Sequence, residues 1–201
     1  AAETPLVEAS FAETALKLGG KSADEARRTG AIDRADEQGE QLFMENKPGE
    51  AVFVLEQVVE GSAPPPKAFY YLGIVYEQLE RYEDAVALYE RAVERPGVNR
   101  ARALFNMGNN YVHLGRLEAA VDAYTRAVQA DEEDAPAYLN RANNRVATES
   151  YEGALKDYSV YLALEPNTAQ RTQIERMMEQ LRGIIEEQRI AREEEERRRQ
   201  L

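Results

Sequence analysis

Apolar residues recur with helical spacing in two consecutive stretches between residues 69 and 92. The first stretch has Phe69, Leu72, Gly73 and Tyr76 at positions i, i+3, i+4 and i+7. The second stretch has Ala85, Leu88, Tyr89 and Ala92 at the same spacing. The residues between them, 78–81, are mostly polar and suit a tight turn. This pattern predicts two antiparallel helices, in which the small side chains of Gly73 and Ala85 allow close approach and the large ones fill the space beside them.

The same hairpin pattern recurs along the chain. Ala51, Ala85, Ala120 and Ala154 are separated by 34, 35 and 34 residues. A small residue precedes each alanine at a fixed distance: Gly39, Gly73, Gly108 and Ala142. A large residue follows each alanine: Leu55, Tyr89, Tyr124 and Tyr158. Four repeats are therefore predicted, at about 32–65, 66–100, 101–134 and 135–168, and are called repeats 1 to 4 below.

Repeat 3 carries the fullest set of pattern residues: Leu104, Met107, Gly108, Tyr111, Gly115, Ala120, Tyr124 and Ala127. In length and residue order this resembles the tetratricopeptide repeat, and the resemblance covers residues 32–166. It implies an all-α fold, a right-handed α–α superhelix of about four helical hairpins. Repeat 4 departs from the pattern with Arg145 where tyrosine is usual, and repeat 1 is the most divergent.

Both ends of such an array need a covering segment, because the terminal repeats would otherwise expose an apolar face. Residues 1–31 are predicted to form an N-terminal helical cap, with Val7, Phe11, Ala15 and Leu18 on one face of a helix that stops at Gly19-Gly20. Ser22 and Glu25 are a candidate capping box for the helix that follows.

Residues 167–201 are predicted to form a C-terminal solvating helix with a charged extension. An apolar stripe in its first half closes repeat 4: Ile174, Met177, Met178, Leu181, Ile184 and Ile185. Ion pairs at i, i+4 are predicted to support the extension: Glu193–Arg197, Glu194–Arg198 and Glu195–Arg199. The extension is either a solvated spur or a helix for self-association or partner docking.

The resemblance also implies a concave groove lined by the first helix of each repeat. The groove residues it designates are Tyr70, Ile74, Glu77, Arg102, Phe105, Asn106, Asn109, Val112, His113, Leu139, Asn140, Asn143 and Val146. Asn106 and Asn109 recur one repeat later as Asn140 and Asn143, and each amide offers a donor and an acceptor to a peptide main chain. The alternative is that these asparagines are a general inheritance of the scaffold.

Three positions within this picture need separate treatment. Arg145 either packs its stem and exposes its guanidinium, or pairs with a carboxylate at the repeat interface or in the groove. His113 is expected to be an ordinary groove or turn residue, because no second histidine or cysteine accompanies it. The carboxylate clamp of chaperone-binding relatives is incomplete, since Asp36, Glu40 and Phe105 stand at its lysine and asparagine positions, so binding of heat-shock chaperone tails is disfavoured.

Charge and composition exclude several functions. The chain has 37 acidic and 25 basic residues, a net charge of -12, which disfavours nucleic acid as a ligand. Residues 32–65 hold eight acids and two bases, which makes repeat 1 a candidate surface for a basic or polar partner. With no cysteine and one histidine, no thiolate or paired-histidine metal site is available, and no phosphate loop or nucleophile–base pair is visible. We therefore expect no enzyme, no cofactor, no metal and no membrane span.

The function expected from these observations is noncatalytic protein interaction, with an extended peptide or a partner helix bound in the groove. The alternative is a self-assembling component that forms homo-oligomers through its terminal helix or repeat 1. The sequence starts at Ala1-Ala2 without Met and lacks cysteine, which fits a periplasmic or otherwise exported protein. A cytoplasmic location is the alternative.

Overall fold

A computed structural model describes residues 23–61 and 63–200, with side chains from residue 34 onward. The predicted N-terminal helix and its apolar face lie outside the described residues. The described residues contain nine α-helices and no strand: α1 Ala23–Met44, α2 Pro48–Val59, α3 Pro66–Gln78, α4 Tyr82–Ala92, α5 Arg100–His113, α6 Leu117–Ala130, α7 Ala135–Ala147, α8 Tyr151–Leu164 and α9 Arg171–Arg199. The predicted all-α fold of helical repeats is confirmed.

The helices follow the predicted repeats in order, two to a repeat. Within repeats 1, 3 and 4 the two helices pack on each other, as α1 on α2, α5 on α6 and α7 on α8. The described residues form two compact parts, of which one ends at Leu88 and the other begins at Tyr89. The division between the two parts therefore falls inside α4.

The turn between the two helices has the same backbone geometry in all four repeats. A residue with positive φ follows the first helix in every repeat: Asn46 (55°), Glu80 (57°), Gly115 (68°) and Glu149 (58°). The next residue donates its backbone N–H to the carbonyl five residues earlier, as in Lys47 to Leu42 (2.9 Å) and Ser150 to Arg145 (2.7 Å). This is the Schellman arrangement that ends helices and satisfies their last carbonyls. The spacing of about 34 residues therefore repeats in the backbone as well as in the side chains.

Small residues allow the paired helices to approach closely. A Cβ atom built on Gly39 would lie 2.6 Å from Leu55 Cδ2, and one built on Gly108 would lie 2.6 Å from Tyr124 Cε1. Leu55 and Tyr124 are themselves almost completely buried. The glycine and the large residue of one repeat thus fit together, as the sequence pattern predicts.

Helix starts follow from local sequence. Asn99 caps α5 by accepting a 2.9 Å hydrogen bond from the N–H of Arg102, and Asp134 caps α7 by accepting a 3.3 Å bond from Ala137. Helix α1 begins at Ala23, well before the predicted start of repeat 1 at residue 32. No proline lies between residues 23 and 44 to interrupt it.

Helix α9 has 29 residues, and its apolar stripe is less continuous than predicted. Ile174, Met178 and Leu181 are buried against repeat 4, whereas Ile184 is 36% exposed. The predicted stripe is therefore wrong at Ile184, whereas the next residue, Ile185, is half-buried as predicted.

The ion pairs of the extension are also corrected in part. Glu195 pairs with Arg199 at 2.6 Å, as predicted. Glu193 pairs with Arg189 rather than Arg197, and Arg189 also binds Glu186 at 2.6 Å. No Glu194–Arg198 pair forms in the part of the chain that is described. Residues 186–200 of the helix end are exposed throughout.

Candidate functional site

Four predicted asparagines lie at matched positions of α5 and α7, and we call them the amide face: Asn106, Asn109, Asn140 and Asn143. The Nδ2 group of Asn140 donates to Asn109 Oδ1 at 3.1 Å, which links the first helices of repeats 3 and 4 directly. The side chains of Asn106, Asn109 and Asn140 are half-buried, and that of Asn143 is exposed. The structure thus brings together the four amides that the sequence places at matched sites.

Buried tyrosines from the second helices hold these amides in position. Tyr124 donates its hydroxyl hydrogen to Asn109 Oδ1 at 2.6 Å, and Tyr158 donates to Asn143 Oδ1 at 2.7 Å. Asn106 donates its amide to the hydroxyl of Tyr89 at 3.1 Å. The three rings are buried, each at the same position of its repeat. Each hydroxyl therefore reaches the amide face from a rigid ring.

These bonds determine which half of each amide remains available. The oxygens of Asn109 and Asn143 accept from tyrosine, which leaves their NH₂ groups without a partner among the described residues. Asn106 and Asn140 use their NH₂ groups, which leaves their oxygens without one. The amide face thus presents two donors and two acceptors in fixed orientations.

Burial changes the acidity of the tyrosines that support this face. Desolvation raises the pKa of Tyr124 to about 12, an effect that the hydrogen bond from Asn140 partly opposes. Desolvation also raises the pKa of Tyr158. Both hydroxyls consequently stay protonated, and able to donate, at any physiological pH.

The other predicted groove residues are distributed more widely. Phe105 packs beside the amide face, with its ring centroid 5.8 Å from that of Tyr124. His113 and Arg102 are exposed, at the last turn and the first turn of α5. Tyr70, Ile74 and Glu77 are half-buried on α3. Those three belong to the part of the chain that ends at Leu88, whereas the amide face belongs to the part that begins at Tyr89.

In that first part, two acidic residues of repeat 1 are already paired with a lysine of α3. Lys67 Nζ lies 3.0 Å from Asp36 Oδ2 and 2.6 Å from Glu40 Oε2. Tyr71 donates its hydroxyl to Glu40 Oε1 at 3.0 Å, and the bonds from Lys67 and Tyr71 lower the pKa of Glu40. The predicted basic-partner surface of repeat 1 therefore has part of its charge neutralised from α3.

Sequence analysis missed a buried ionic group in repeat 4. Arg141 binds Asp157 with two hydrogen bonds, of 2.8 and 2.6 Å, and Arg145 binds the same carboxylate at 2.7 Å. Asp157 is 2% exposed and Arg141 is 8% exposed. Arg145 therefore pairs with a carboxylate, but between the two helices of its own repeat rather than at a repeat interface or in the groove. Its guanidinium is held by this carboxylate, while the side chain as a whole is 22% exposed.

The alignment of repeats contained a signal for this group. Arg141, Arg145 and Asp157 stand where repeat 3 has Met107, Tyr111 and Ala123. Tyr111 donates to Glu90 at 3.3 Å, but the residue one repeat after Glu90 is Thr125. Because that position holds no glutamate, Arg145 has no carboxylate partner in repeat 3. Its side chain lies over Gly153 instead, where a Cβ added to the glycine would be 3.1 Å from Arg145 Cδ.

None of the described helices combines the length and the apolar content needed to cross a bilayer. No group of three or more potential ligand side chains is placed to hold a metal ion in the same residues.

Comparison with protein families bears on identity. A sequence profile of the tetratricopeptide repeat matches residues 67–133, and a second profile with the same description matches residues 105–169. Together they extend from 67 to 169, slightly more than half of the chain. The chain belongs to the tetratricopeptide repeat family. No curated protein matches it as a relative.

Solved tetratricopeptide repeat proteins share the fold at low sequence identity. MamA from Desulfovibrio magneticus RS-1 is 18% identical, with a TM-score of 0.65 over 81% of this chain and 89% of that one. YrrB, described as a TPR protein with an unusual peptide-binding site, is 22% identical, with a TM-score of 0.63 over 85% of this chain and 87% of that one.

A third structure is the first TPR of Spaghetti (RPAP3) bound to the HSP90 peptide SRMEEVD. It is 22% identical, with a TM-score of 0.52 over 60% of this chain and 92% of that one. At these identities the likenesses show the fold alone. Tetratricopeptide repeats are in general protein-interaction modules rather than enzymes, and the chain belongs to that general class.

Proposed function

We propose that this tetratricopeptide repeat protein is a noncatalytic scaffold that binds an extended peptide across the amide face. The observation that carries the proposal is the fixed set of two donors and two acceptors on α5 and α7, held from behind by Tyr89, Tyr124 and Tyr158. Because the amides are oriented before binding, little side-chain entropy is lost when a ligand engages them.

The chemistry of this face favours a main chain over charged side chains. An extended peptide alternates carbonyl acceptors and N–H donors, and the amide face offers partners of both kinds. Asparagine carries no charge, so these contacts do not depend on a charged ligand group. Phe105, half-buried beside the amides, adds an apolar contact for a side chain of the same peptide.

The peptide in the Spaghetti structure is acidic, and we do not extend that ligand to this chain. In repeat 1 the positions of a carboxylate clamp are occupied by Asp36 and Glu40, which bind Lys67. In repeat 3 the lysine position is occupied by Phe105. A chaperone tail ending in carboxylates would lack its cationic partners at either place.

The sharpest test exchanges amide donors for acceptors without disturbing the tyrosines. In the Asn109→Asp/Asn143→Asp variant, each carboxylate can still accept from Tyr124 or Tyr158, but both NH₂ donors are gone. Peptides would first be selected on the wild-type protein from a random library displayed on phage. The selected peptides should bind the variant at least about tenfold more weakly, because the peptide carbonyl groups that accept from these NH₂ groups would face carboxylates instead.

A variant with the same change of charge elsewhere serves as the control. Asn167 and Gln188 are exposed and distant in sequence from the amide face. The Asn167→Asp/Gln188→Glu variant should bind the selected peptides as the wild type does. Equal binding by both variants, or a library that yields no peptide, would refute the proposal.

A second candidate function is self-association through α9. It is favoured by the exposure of Ile184 (36%) and Ile190 (45%) on a helix that extends beyond repeat 4. Sedimentation of the protein at micromolar concentration distinguishes the two functions. A mass several times 22.7 kDa that falls to the monomer value in an Ile184→Glu/Ile190→Glu variant would support self-association, and a wild-type monomer would exclude it.

A further inference from the structure

A pocket of about 110 Å³ lies where α7 and α8 of repeat 4 meet the start of α9. Its apolar lining comes from Leu139, Ile174 and Met177. Its polar rim is formed by three amides, Asn143, Gln170 and Gln173, with the ring of Tyr158 beneath Asn143. Gln170, Gln173 and Met177 were not predicted as site residues, because they belong to the C-terminal helix and the turn before it.

Two of the rim amides are held in the same way as the amide face. Tyr158 donates to Asn143 Oδ1 at 2.7 Å, and Tyr161 donates to Gln170 Oε1 at 3.3 Å. Tyr161 also lies 3.0 Å from Thr168 Oγ1, so its hydroxyl is fixed within the turn before α9. In both amides the oxygen is occupied, while the NH₂ group has no partner among the described residues. The rim consequently offers hydrogen-bond donors above an apolar floor.

The pocket continues the amide face at the end of the repeats. One repeat after Asn140, which bonds to Asn109, the corresponding position is Ile174. The alternation of amides and tyrosines therefore stops at Tyr158, and an apolar side chain replaces the next amide. A peptide that follows the amide face would meet apolar surface here.

We propose that this pocket takes an aliphatic side chain of an internal peptide segment, while Asn143 and Gln170 donate to the main-chain carbonyl groups beside it. This inference rests on the proposed peptide binding and names the specificity pocket of that site. None of the lining residues is charged, so a lysine or aspartate side chain would be desolvated without a partner. The volume is somewhat smaller than the cavities of about 150 Å³ that admit benzene, which suits leucine, isoleucine or methionine better than an aromatic ring.

Small probes test this pocket without knowledge of the natural partner. The chain has four methionines, so a protein labelled with ¹³C at the methionine methyl groups gives four signals, and Met177 reports on the pocket. N-acetyl-leucine methylamide should shift the Met177 signal and leave unchanged that of Met44, which does not line the pocket. N-acetyl-alanine methylamide should bind about tenfold more weakly, because it lacks the methyl and methylene groups that the pocket buries.

Two further probes examine charge and chain ends. N-acetyl-lysine methylamide should leave Met177 unshifted. N-acetyl-leucine, which ends in a free carboxylate, should bind no more tightly than the methylamide. A shift by the lysine probe, or tighter binding of the carboxylate by about tenfold, would overturn the assignment to an aliphatic side chain of an internal segment.

Variants separate specific binding from general adhesion to apolar surface. In Gln170→Glu the carboxylate still accepts from Tyr161 but has no donor, so the leucine probe should bind several-fold more weakly. Gln188→Glu makes the same chemical change on the exposed part of α9 and should have no effect. Equal binding by both variants would overturn the role of Gln170.

The small-probe experiment tests the pocket separately from the peptide selection that tests the proposed function. Selected peptides that depend on Asn109 but have no aliphatic preference, with Met177 unshifted by the leucine probe, would refute the pocket and leave the proposed function intact. A Met177 shift in a protein that selects no peptide would refute the proposed function and leave the aliphatic pocket intact.

Discussion

The hydroxyl of Tyr124 donates a 2.6 Å hydrogen bond to Asn109 Oδ1 and lies 3.5 Å from Nδ2 of Asn140. One buried side chain of repeat 3 thereby touches an amide of its own repeat and an amide of the next. The hydroxyl is at once part of the packing between repeats and the support of the proposed binding surface.

Removal of this hydroxyl should lower the stability of the protein at neutral pH and make that stability depend less on pH above 10. Tyr124→Phe should lower the free energy of unfolding in urea by about 1 kcal/mol, the usual worth of such a bond. Because the folded-state pKa of about 12 exceeds the ordinary value of 10, the wild type is stabilised fully below pH 10 and loses this contribution as the pH rises from 10 to 12. The stability advantage of the wild type should shrink over that range and then change sign, because two pKa units correspond to about 2.7 kcal/mol, more than the bond itself.

Tyr151→Phe is the matched control for this measurement. The hydroxyl of Tyr151 has no hydrogen bond within the described residues, and the side chain is half-buried. Its removal should leave the free energy of unfolding at pH 7 unchanged. A loss equal to that of Tyr124→Phe would show that the bond to Asn109 contributes nothing.

The ionic group of repeat 4 leads to two opposite expectations. Asp157→Ala leaves Arg141 buried and unpaired, which should lower the free energy of unfolding by about 3–5 kcal/mol. The triple variant Arg141→Met/Arg145→Tyr/Asp157→Ala copies the residues of repeat 3. It should lie within about 1 kcal/mol of the wild type or be more stable, because the desolvation of three charges is avoided.

Urea denaturation of the two variants distinguishes these expectations. If the triple variant were as unstable as Asp157→Ala, the group would be a source of stability that apolar packing cannot replace. Such a result would contradict the assignment of equivalent positions between the two repeats.

The close fit of Gly108 against Tyr124 predicts a large effect of one methyl group. In Gly108→Ala the new Cβ would stand 2.6 Å from the ring, which is 1% exposed and cannot easily move. We expect a loss of about 1–3 kcal/mol from overpacking. In Gly183→Ala nothing lies within 4 Å, so the better helix propensity of alanine should raise the helicity measured by circular dichroism. Equal behaviour of the two variants would contradict the packing described here.

The backbone of the turns predicts a stabilising change. Glu149 has a φ of 58°, whereas the equivalent position of repeat 3 is Gly115, with a φ of 68°. Glu149→Gly should stabilise the protein by about 0.5–1 kcal/mol, since an L side chain is disfavoured in this conformation. Gly115→Glu should have the opposite effect of similar size. Thermal unfolding checks both, and a destabilised Glu149→Gly protein would show that the glutamate side chain compensates for the strain.

Much of the fold follows from periodicity alone, because residues such as Gly108, Ala120 and Tyr124 repeat at fixed positions and each repeat buries the same faces. The state of the amide face does not follow from it. Tyr124 and Tyr158 are core residues by their pattern, and only the structure shows that their hydroxyls reach asparagines fifteen residues earlier. The spacing of apolar residues predicts that a tyrosine ring is buried, but it does not predict which residue the tyrosine hydroxyl will contact.

The departures from prediction have local causes. Arg145 replaces the Tyr111 of repeat 3, and its partner Asp157 replaces Ala123. The two substitutions form one ion pair, so neither residue predicts the pair by itself. In the apolar stripe of α9, Leu181 is the last fully buried residue, and Ile184 is exposed because it does not pack on repeat 4. A pattern within one helix cannot show how far its neighbour extends.

The most direct test of peptide binding at the amide face is calorimetry with one peptide selected on the wild-type protein. Its affinity for the Asn109→Asp/Asn143→Asp variant should fall at least about tenfold, with the thermal unfolding temperature nearly unchanged because both tyrosine bonds are retained. The same affinity for wild type and variant would contradict the account.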